Sequence, residues 1–244
     1  MPARRAIFVA PFGELSEARV LARLAAETEA AGWDGFFLWD HIVYTGVERL
    51  ADPWIAMAAI ATATERVRIG ALVTPTPRRR VAKLARETVT LDRLSGGRLV
   101  LGVGIGGDDH GEFADFGEET DPRKRARTLD ADLDRLVALW GGEFEPVPAQ
   151  QPRIPVWVAA RWPKRRPVRR AARWDGLFPI ELPGTEALAE LAAELGGGDL
   201  VVTNPADVDY RPWEAAGATW CLTGFGKDPR EGEVRAAIEA GPRA

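Results

Sequence analysis

Hydrophobic positions along the chain fall into two alternating patterns. Eight short apolar segments read as strands: Ala6–Pro11, Gly35–Trp39, Val67–Val73, Arg98–Val103, Pro155–Ala160, Gly176–Ile180, Asp199–Thr203 and Ala218–Thr223. Several run apolar without polar alternation, as in Val156-Trp157-Val158-Ala159-Ala160. Strands of that kind are buried on both faces, as in a parallel sheet. Between them lie stretches of helical spacing. Leu15–Ala31 places Leu15, Ala18, Leu21, Ala22 and Ala25 on one stripe, and Gly32 is a natural stop. Asp52-Pro53 and Asp121-Pro122 each pair an N-cap aspartate with a proline at the first helical position. The first opens a helix, and the second precedes another over Arg123–Trp140. Pro77–Leu94 is closed by Ser95-Gly96-Gly97, and shorter helices are expected at Pro167–Arg173, Thr185–Leu195, around Arg211–Ala216 and at Glu231–Ala240.

Eight strands, each followed by a helix, in 244 residues match the size of a (β/α)8 TIM barrel. A doubly wound open sheet would give a similar local pattern. The count of eight favours the barrel. So does the first turn, Pro11-Phe12-Gly13-Glu14, which lacks the glycine spacing of a dinucleotide-binding loop. No Ser-, Gly- or Pro-rich linker divides the chain, so residues 1–244 read as one domain.

Composition changes this picture mainly by exclusion. A hydrophobic fraction of 46% and a charged fraction of 28% supply enough apolar surface to offset the entropy of ordering. The net charge of −4 argues against a dedicated nucleic-acid binder. The one cysteine, Cys221, allows no intrachain disulfide, and its setting in Thr219-Trp220-Cys221-Leu222 reads as a buried strand. Two histidines, His41 and His110, are too few for a His-rich zinc cage. The apolar run Ala6–Phe12 is too short for a membrane span and lacks a cleavage pattern, so a cytoplasmic protein with no membrane partner is expected.

In a barrel the chemistry lies just past the C-terminal ends of the strands. After the second strand come Asp40, His41 and Tyr44; after the third, Thr74, Pro75 and Thr76. After the fourth come Gly104, Gly106, Gly107, Asp108, Asp109 and His110; after the fifth, Arg161, Trp162 and Lys164. Glu181, Pro183 and Asn204 follow the next two. Both histidines therefore share one face. Each feature also has a purely structural reading. Asp40-His41 could cap the following helix. Gly102-Val103-Gly104-Ile105-Gly106-Gly107 could be a plain turn, or a place where a phosphate or ring approaches backbone. The seven cations between Arg161 and Arg173 could be a solvated helix face, or part of a phosphate site.

Three stretches carry a family resemblance: Gly32-Trp33-Asp34-Gly35-Phe36-Phe37-Leu38-Trp39-Asp40-His41, then Arg68-Ile69-Gly70-Ala71-Leu72-Val73-Thr74-Pro75, then Thr90-Leu91-Asp92-Arg93-Leu94-Ser95-Gly96-Gly97-Arg98 continuing through Leu99-Val100-Leu101-Gly102-Val103-Gly104. They resemble the bacterial luciferase-like monooxygenases, flavin- or deazaflavin-dependent oxidoreductases on a (β/α)8 barrel. The C-terminal half matches through Pro155–Ala160 and Ala172-Arg173-Trp174-Asp175-Gly176.

The resemblance implies that FMN or the deazaflavin coenzyme F-420 lies across the barrel mouth. It implies a small organic substrate, a homodimer, and a separate flavin or deazaflavin reductase as a further partner. With a flavin the substrate is oxygenated; with a deazaflavin a hydride passes between ring and substrate. Carried over by position, Asp40 and His41 lie beside the ring; with His110, which shares their strand-end face, they are the expected catalytic residues, with Asp109 and Glu112 behind them. Cofactor contacts are expected from Asp40, from Ala71, Leu72 and Val73, from Gly104 and Gly106, and from Ala159, Ala160, Arg161 and Trp162. A non-proline cis peptide is expected at Ala71-Leu72. The chain departs from the family at Arg161-Trp162-Pro163-Lys164, where small or hydroxyl residues are usual, and it has only Pro205–Gly217 where luciferases carry a long insertion. A non-catalytic flavin-binding relative, and a barrel hydrolase with paired carboxylates, are the alternative readings.

Overall fold

The computed structural model describes residues 2–242. The elements run β1 (Arg4–Val9), α1 (Ala18–Ala30), β2 (Gly35–Leu38), α2 (Pro53–Ala63), β3 (Arg68–Ala71), β4 (Thr74–Pro75), α3 (Val81–Leu94), β5 (Leu101–Gly104) and α4 (Pro122–Ala138). They continue with β6 (Val156–Arg161), α5 (Arg165–Ala171), β7 (Gly176–Ile180), α6 (Thr185–Leu195), β8 (Asp199–Asn204), α7 (Arg211–Ala215), β9 (Trp220–Gly224) and α8 (Glu231–Glu239). The hydrogen-bonded order is β3-β2-β1-β9-β8-β7-β6-β5-β4, and every pairing is parallel.

The two ends of that order are β3, within the expected strand Val67–Val73, and β4, formed by Thr74 and Pro75 just after it. Between them the Leu72–Val73 peptide is cis. The expected cis step at Ala71-Leu72 is therefore one residue too early. The Leu72 N–H still donates to Leu38 O at 2.8 Å, so the ladder with β2 holds through Leu72 and breaks only after it. Across the remaining gap Ile69 bridges Leu99, and the Val100 N–H donates to Ile69 O at 2.8 Å. The nine segments thus form a nearly closed barrel, the (β/α)8 architecture expected. Among the described residues, no helix is long and apolar enough to cross a membrane.

The strands are buried on both faces because each faces a separate apolar layer. Inside the barrel, the Phe37, Trp157 and Trp220 rings pack with centroids 5.4–5.7 Å apart. Two strand-start glycines make room for this plug. A Cβ on Gly35 would meet the Phe37 ring at 2.7 Å, and one on Gly176 the Trp157 ring at 2.6 Å. Outside, Ile7, Val9, Phe36, Val156 and Val158 meet the helices. Cys221 belongs to this outer layer, and burial pushes its thiol up to about 12, which suits an inert packing residue.

Two local departures from the sequence pattern shape the mouth and the base. Pro77–Leu94 is not one helix. Thr76–Arg78 forms a single 3-10 turn and α3 begins only at Val81, so Arg78 and Arg79 lie in a turn beside the mouth. Arg98, expected to start a strand, is instead buried against the end of α2. Its guanidinium donates to Ala61 O, Thr64 O and Val67 O at 2.8–2.9 Å, satisfying carbonyls that the helix end leaves open.

Candidate functional site at the barrel mouth

Past the end of β2 the chain turns at Asp40 and His41. The Asp40 side chain is fully buried. Its Oδ2 accepts from Trp54 Nε1 at 3.1 Å, Thr74 Oγ1 at 2.9 Å and Arg79 Nη2 at 2.9 Å. Its Oδ1 accepts from Arg78 Nη2 at 3.0 Å. Trp54 comes from the first turn of α2, which the Asp52 side chain caps through the Ile55 N–H at 2.8 Å. Asp40 was expected to touch both substrate and cofactor. Its lone pairs are occupied by donors from three other segments, and buried carboxylates are stable only when so paired. The geometry ties it to Arg78 and Arg79 behind the mouth.

Arg78 is the hinge of the site. Its other nitrogen, Nη1, donates to Glu112 Oε1 at 2.6 Å. Glu112 Oε1 also accepts from the Ile42 N–H at 2.9 Å, and Oε2 lies 3.0 Å from His41 Nδ1. Asp40, Glu112, Arg78 and Arg79 balance in formal charge, as a buried network must. Burial pushes the Glu112 carboxyl upward, but the His41 contact, the Arg78 charge and the Ile42 N–H outweigh it, so Glu112 sits below the ordinary carboxylate range. With Glu112 ionised, the His41 Nδ1 carries a proton, and in the neutral ring Nε2 is the acceptor.

His41 lies among aromatic rings. Phe12, Trp39 and Tyr44 have centroids 6.0, 5.8 and 5.1 Å from it. Its side chain is one-quarter exposed. His110 sits 6.2 Å away, stacked on Tyr44 at 3.7 Å, with Nδ1 3.2 Å from Thr45 Oγ1. The structure thus brings the two expected histidines together and gives a carboxylate partner to His41 alone. Asp109 is exposed. Arg78, which the sequence reading missed, was the second residue of a helix in that reading.

The expected cofactor contacts divide by the alternation of each strand. Leu72 packs inside the barrel, with Val73 and Ala159 against the same layer. Trp39, Val73, Ala159 and Ile180 are its partly exposed members, an apolar floor at the C-terminal ends of β2, β3, β6 and β7. Ala71 and Ala160 belong to the outer layer, and Trp162 packs against it with Arg165 4.6 Å above its ring. With these three packed on the outer layer, their route to the mouth is through backbone. Gly104 and Gly106 are required by packing. A Cβ at Gly104 would meet Val73 Cγ2 at 2.8 Å, and Gly106 (φ +73°) would meet the Phe113 ring at 2.7 Å.

Arg161 follows the inward phase of β6. It is about half exposed and lies 3.5 Å from Glu181, a non-glycine residue with φ +58°. Arg165 pairs with Glu190 and Glu194, Arg170 with Asp130, and Arg173 with Asp134. Lys164, Arg166 and Arg169 are exposed, with no acidic partner within salt-bridge distance among the described residues.

The network has a pH signature. A carboxyl lowered by folding stabilises the fold above its ordinary value of 4.5, and that contribution is lost as pH falls through the depressed value. Glu112→Gln should therefore flatten the loss of stability below pH 4.5, measured by denaturant unfolding across pH. An unchanged acid limb would show that Glu112 does not gain its charge from this network.

Comparison with known proteins agrees with this architecture. A monooxygenase from Streptomyces bottropensis superposes with a TM-score of 0.79 over 96% of both chains at 16% identity, a likeness of fold. The F-420-dependent glucose-6-phosphate dehydrogenase of Amycolatopsis mediterranei is 33% identical over 163 residues, 59% of this chain and 48% of its own length. The oxygenase component of a flavin-dependent trigonelline monooxygenase from Acinetobacter baylyi is 29% identical over 143 residues, 50% of this chain and 39% of its own. The chain spans about half the length of these curated relatives. Residues 7–198 match the family described as luciferase-like monooxygenase, and the chain belongs to that family.

Proposed function

We propose that the protein is an oxidoreductase that takes reduced FMN or coenzyme F-420 at the barrel mouth and acts on a small organic substrate. The observation that carries this is His41, held through Nδ1 by the buried Glu112–Arg78–Asp40 network with Nε2 left as an acceptor. The residues fit such a cofactor. Trp39, Val73, Ala159 and Ile180 form an apolar floor suited to a planar ring, and Arg161 at the lip suits an anionic tail. The unpaired Lys164, Arg166 and Arg169 lie close in sequence and suit a tail with several carboxylates.

When bound, the cofactor would supply the redox step: oxygen activation for a flavin, hydride exchange for a deazaflavin. The chain's own residues do the rest. The floor orients the ring and excludes water from it. Nε2 of His41 accepts or returns a proton at the substrate oxygen, and Glu112 stabilises the ring while it is positively charged. Asp40 holds Arg78 and Arg79 in place. His110, bonded to a single exposed hydroxyl, has no such anchor, so His41 is the acid–base residue.

The test is titration with FMN and with coenzyme F-420, followed by absorbance and fluorescence. Arg161→Ala should weaken the cofactor that binds by roughly 1–1.5 kcal/mol, about ten-fold, as for a half-exposed charged hydrogen bond. The difference should shrink at high salt. No saturable binding of either cofactor to the wild type would end this reading.

A further inference from the structure

On the outer side of the Tyr44–His110 stack lies a cleft of about 370 Å³ between the loop after β2 and the turns after β5. Ile42, Val47, Leu50 and Phe116 line it. Ile42 and Phe116 are 39% and 54% exposed, two of the few large apolar side chains left open to solvent. Their convergence in one concavity is unlike scattered surface hydrophobes. The size falls within the range of roughly 300–1,000 Å³ usual for small-molecule pockets. Tyr44 and His110 line the cleft, and the same two rings touch His41 at 5.1 and 6.2 Å. The cleft therefore adjoins the site across a shared aromatic wall.

Its charge excludes anionic occupants. Glu48 and Asp115 stand at the rim, and no lysine or arginine lines it. A carboxylate or phosphate entering here would meet two acidic groups and no fixed cation, whereas an uncharged apolar group loses nothing to them. We propose that this cleft seats an uncharged apolar arm of the substrate, while the reacting group reaches His41 past Tyr44 and His110. The inference rests on the functional reading above and narrows it to substrates with a neutral alkyl or aryl extension, as opposed to phosphorylated sugars.

The test uses hexan-1-ol, heptan-1-ol and octan-1-ol as probes, with octanoate as the charged control, followed by ligand-observed NMR on the wild-type chain. Affinity should tighten roughly three- to four-fold per added methylene. Octanoate should bind at least about ten-fold more weakly than octanol. Phe116→Asp and Val47→Asp should each weaken octanol about ten-fold or more while FMN and F-420 titrations stay as in the wild type. Both side chains lie outside the His41 network, and circular dichroism with a melting curve checks that each variant is folded. Octanol affinity unchanged in both folded variants, or octanoate binding as tightly as octanol, would overturn the proposal. If the wild type binds neither cofactor yet keeps the alkanol series, the functional reading fails and the cleft stands. If it binds a cofactor but no alkanol, the cleft assignment fails alone.

Discussion

His41→Ala, folded and loaded with its cofactor, should lose turnover by roughly 10²- to 10⁴-fold while cofactor affinity changes little. The expectation follows from geometry. Glu112 Oε2 holds Nδ1 at 3.0 Å, and the imidazole side chain is only one-quarter exposed among Phe12, Trp39 and Tyr44. Such a group is oriented before the substrate arrives, and proton transfer contributes mainly in the transition state. Steady-state kinetics with the cofactor held saturating separates this from a binding defect. His110→Ala provides the contrast: its ring bonds only Thr45 Oγ1, so its loss should raise KM more than it lowers kcat. A non-catalytic flavin-binding relative would show no turnover to lose, and wild-type turnover in the His41 variant would remove the acid–base assignment.

The second large effect is on stability. Arg78→Met should destabilise the protein by about 3–5 kcal/mol, because it leaves buried carboxylates short of a partner. At about 2–4 °C per kcal/mol for a chain of this size, the melting temperature should fall by about 6–20 °C. The Arg78 side chain is 5% exposed, Asp40 0% and Glu112 4%, so water cannot replace the missing donors. Much of the cost should lie in the uncompensated charge. Adding Glu112→Gln to Arg78→Met should therefore cost less than the sum of the two single variants. Strict additivity in chemical denaturation would mean that Arg78 and Glu112 act independently and that the bridge is incidental.

Much of the fold is legible in the order of the residues. Near-continuous apolar runs mark strands buried on both faces, and Asp52-Pro53 and Asp121-Pro122 mark the starts of α2 and α4, both confirmed by side-chain caps. These signals are local, since a cap and a period act over a few residues. The barrel rule then names the strand-end residues as the place for chemistry, and Asp40, His41 and His110 do lie at one mouth.

What the tertiary structure alone decided is which of them face the mouth and which are tied behind it. Pro77-Arg78 reads as the start of a helix, because Pro77 is a good first helical residue and Arg-rich segments are strong helix formers. In the fold it is a turn, since Arg78 and Arg79 gain buried carboxylate partners that no local signal reveals. Asp40 and Glu112 are 72 positions apart in the chain and share a single guanidinium. Such a pairing depends on β2, the turn before α3 and the loop after β5 meeting at one rim. Likewise the side chain of Ala160 joins the outer layer through strand phase. Residue types and spacing determined the barrel and its chemical face; the assembly of three distant segments around Arg78 determined that His41 is the histidine of that face with a buried carboxylate partner.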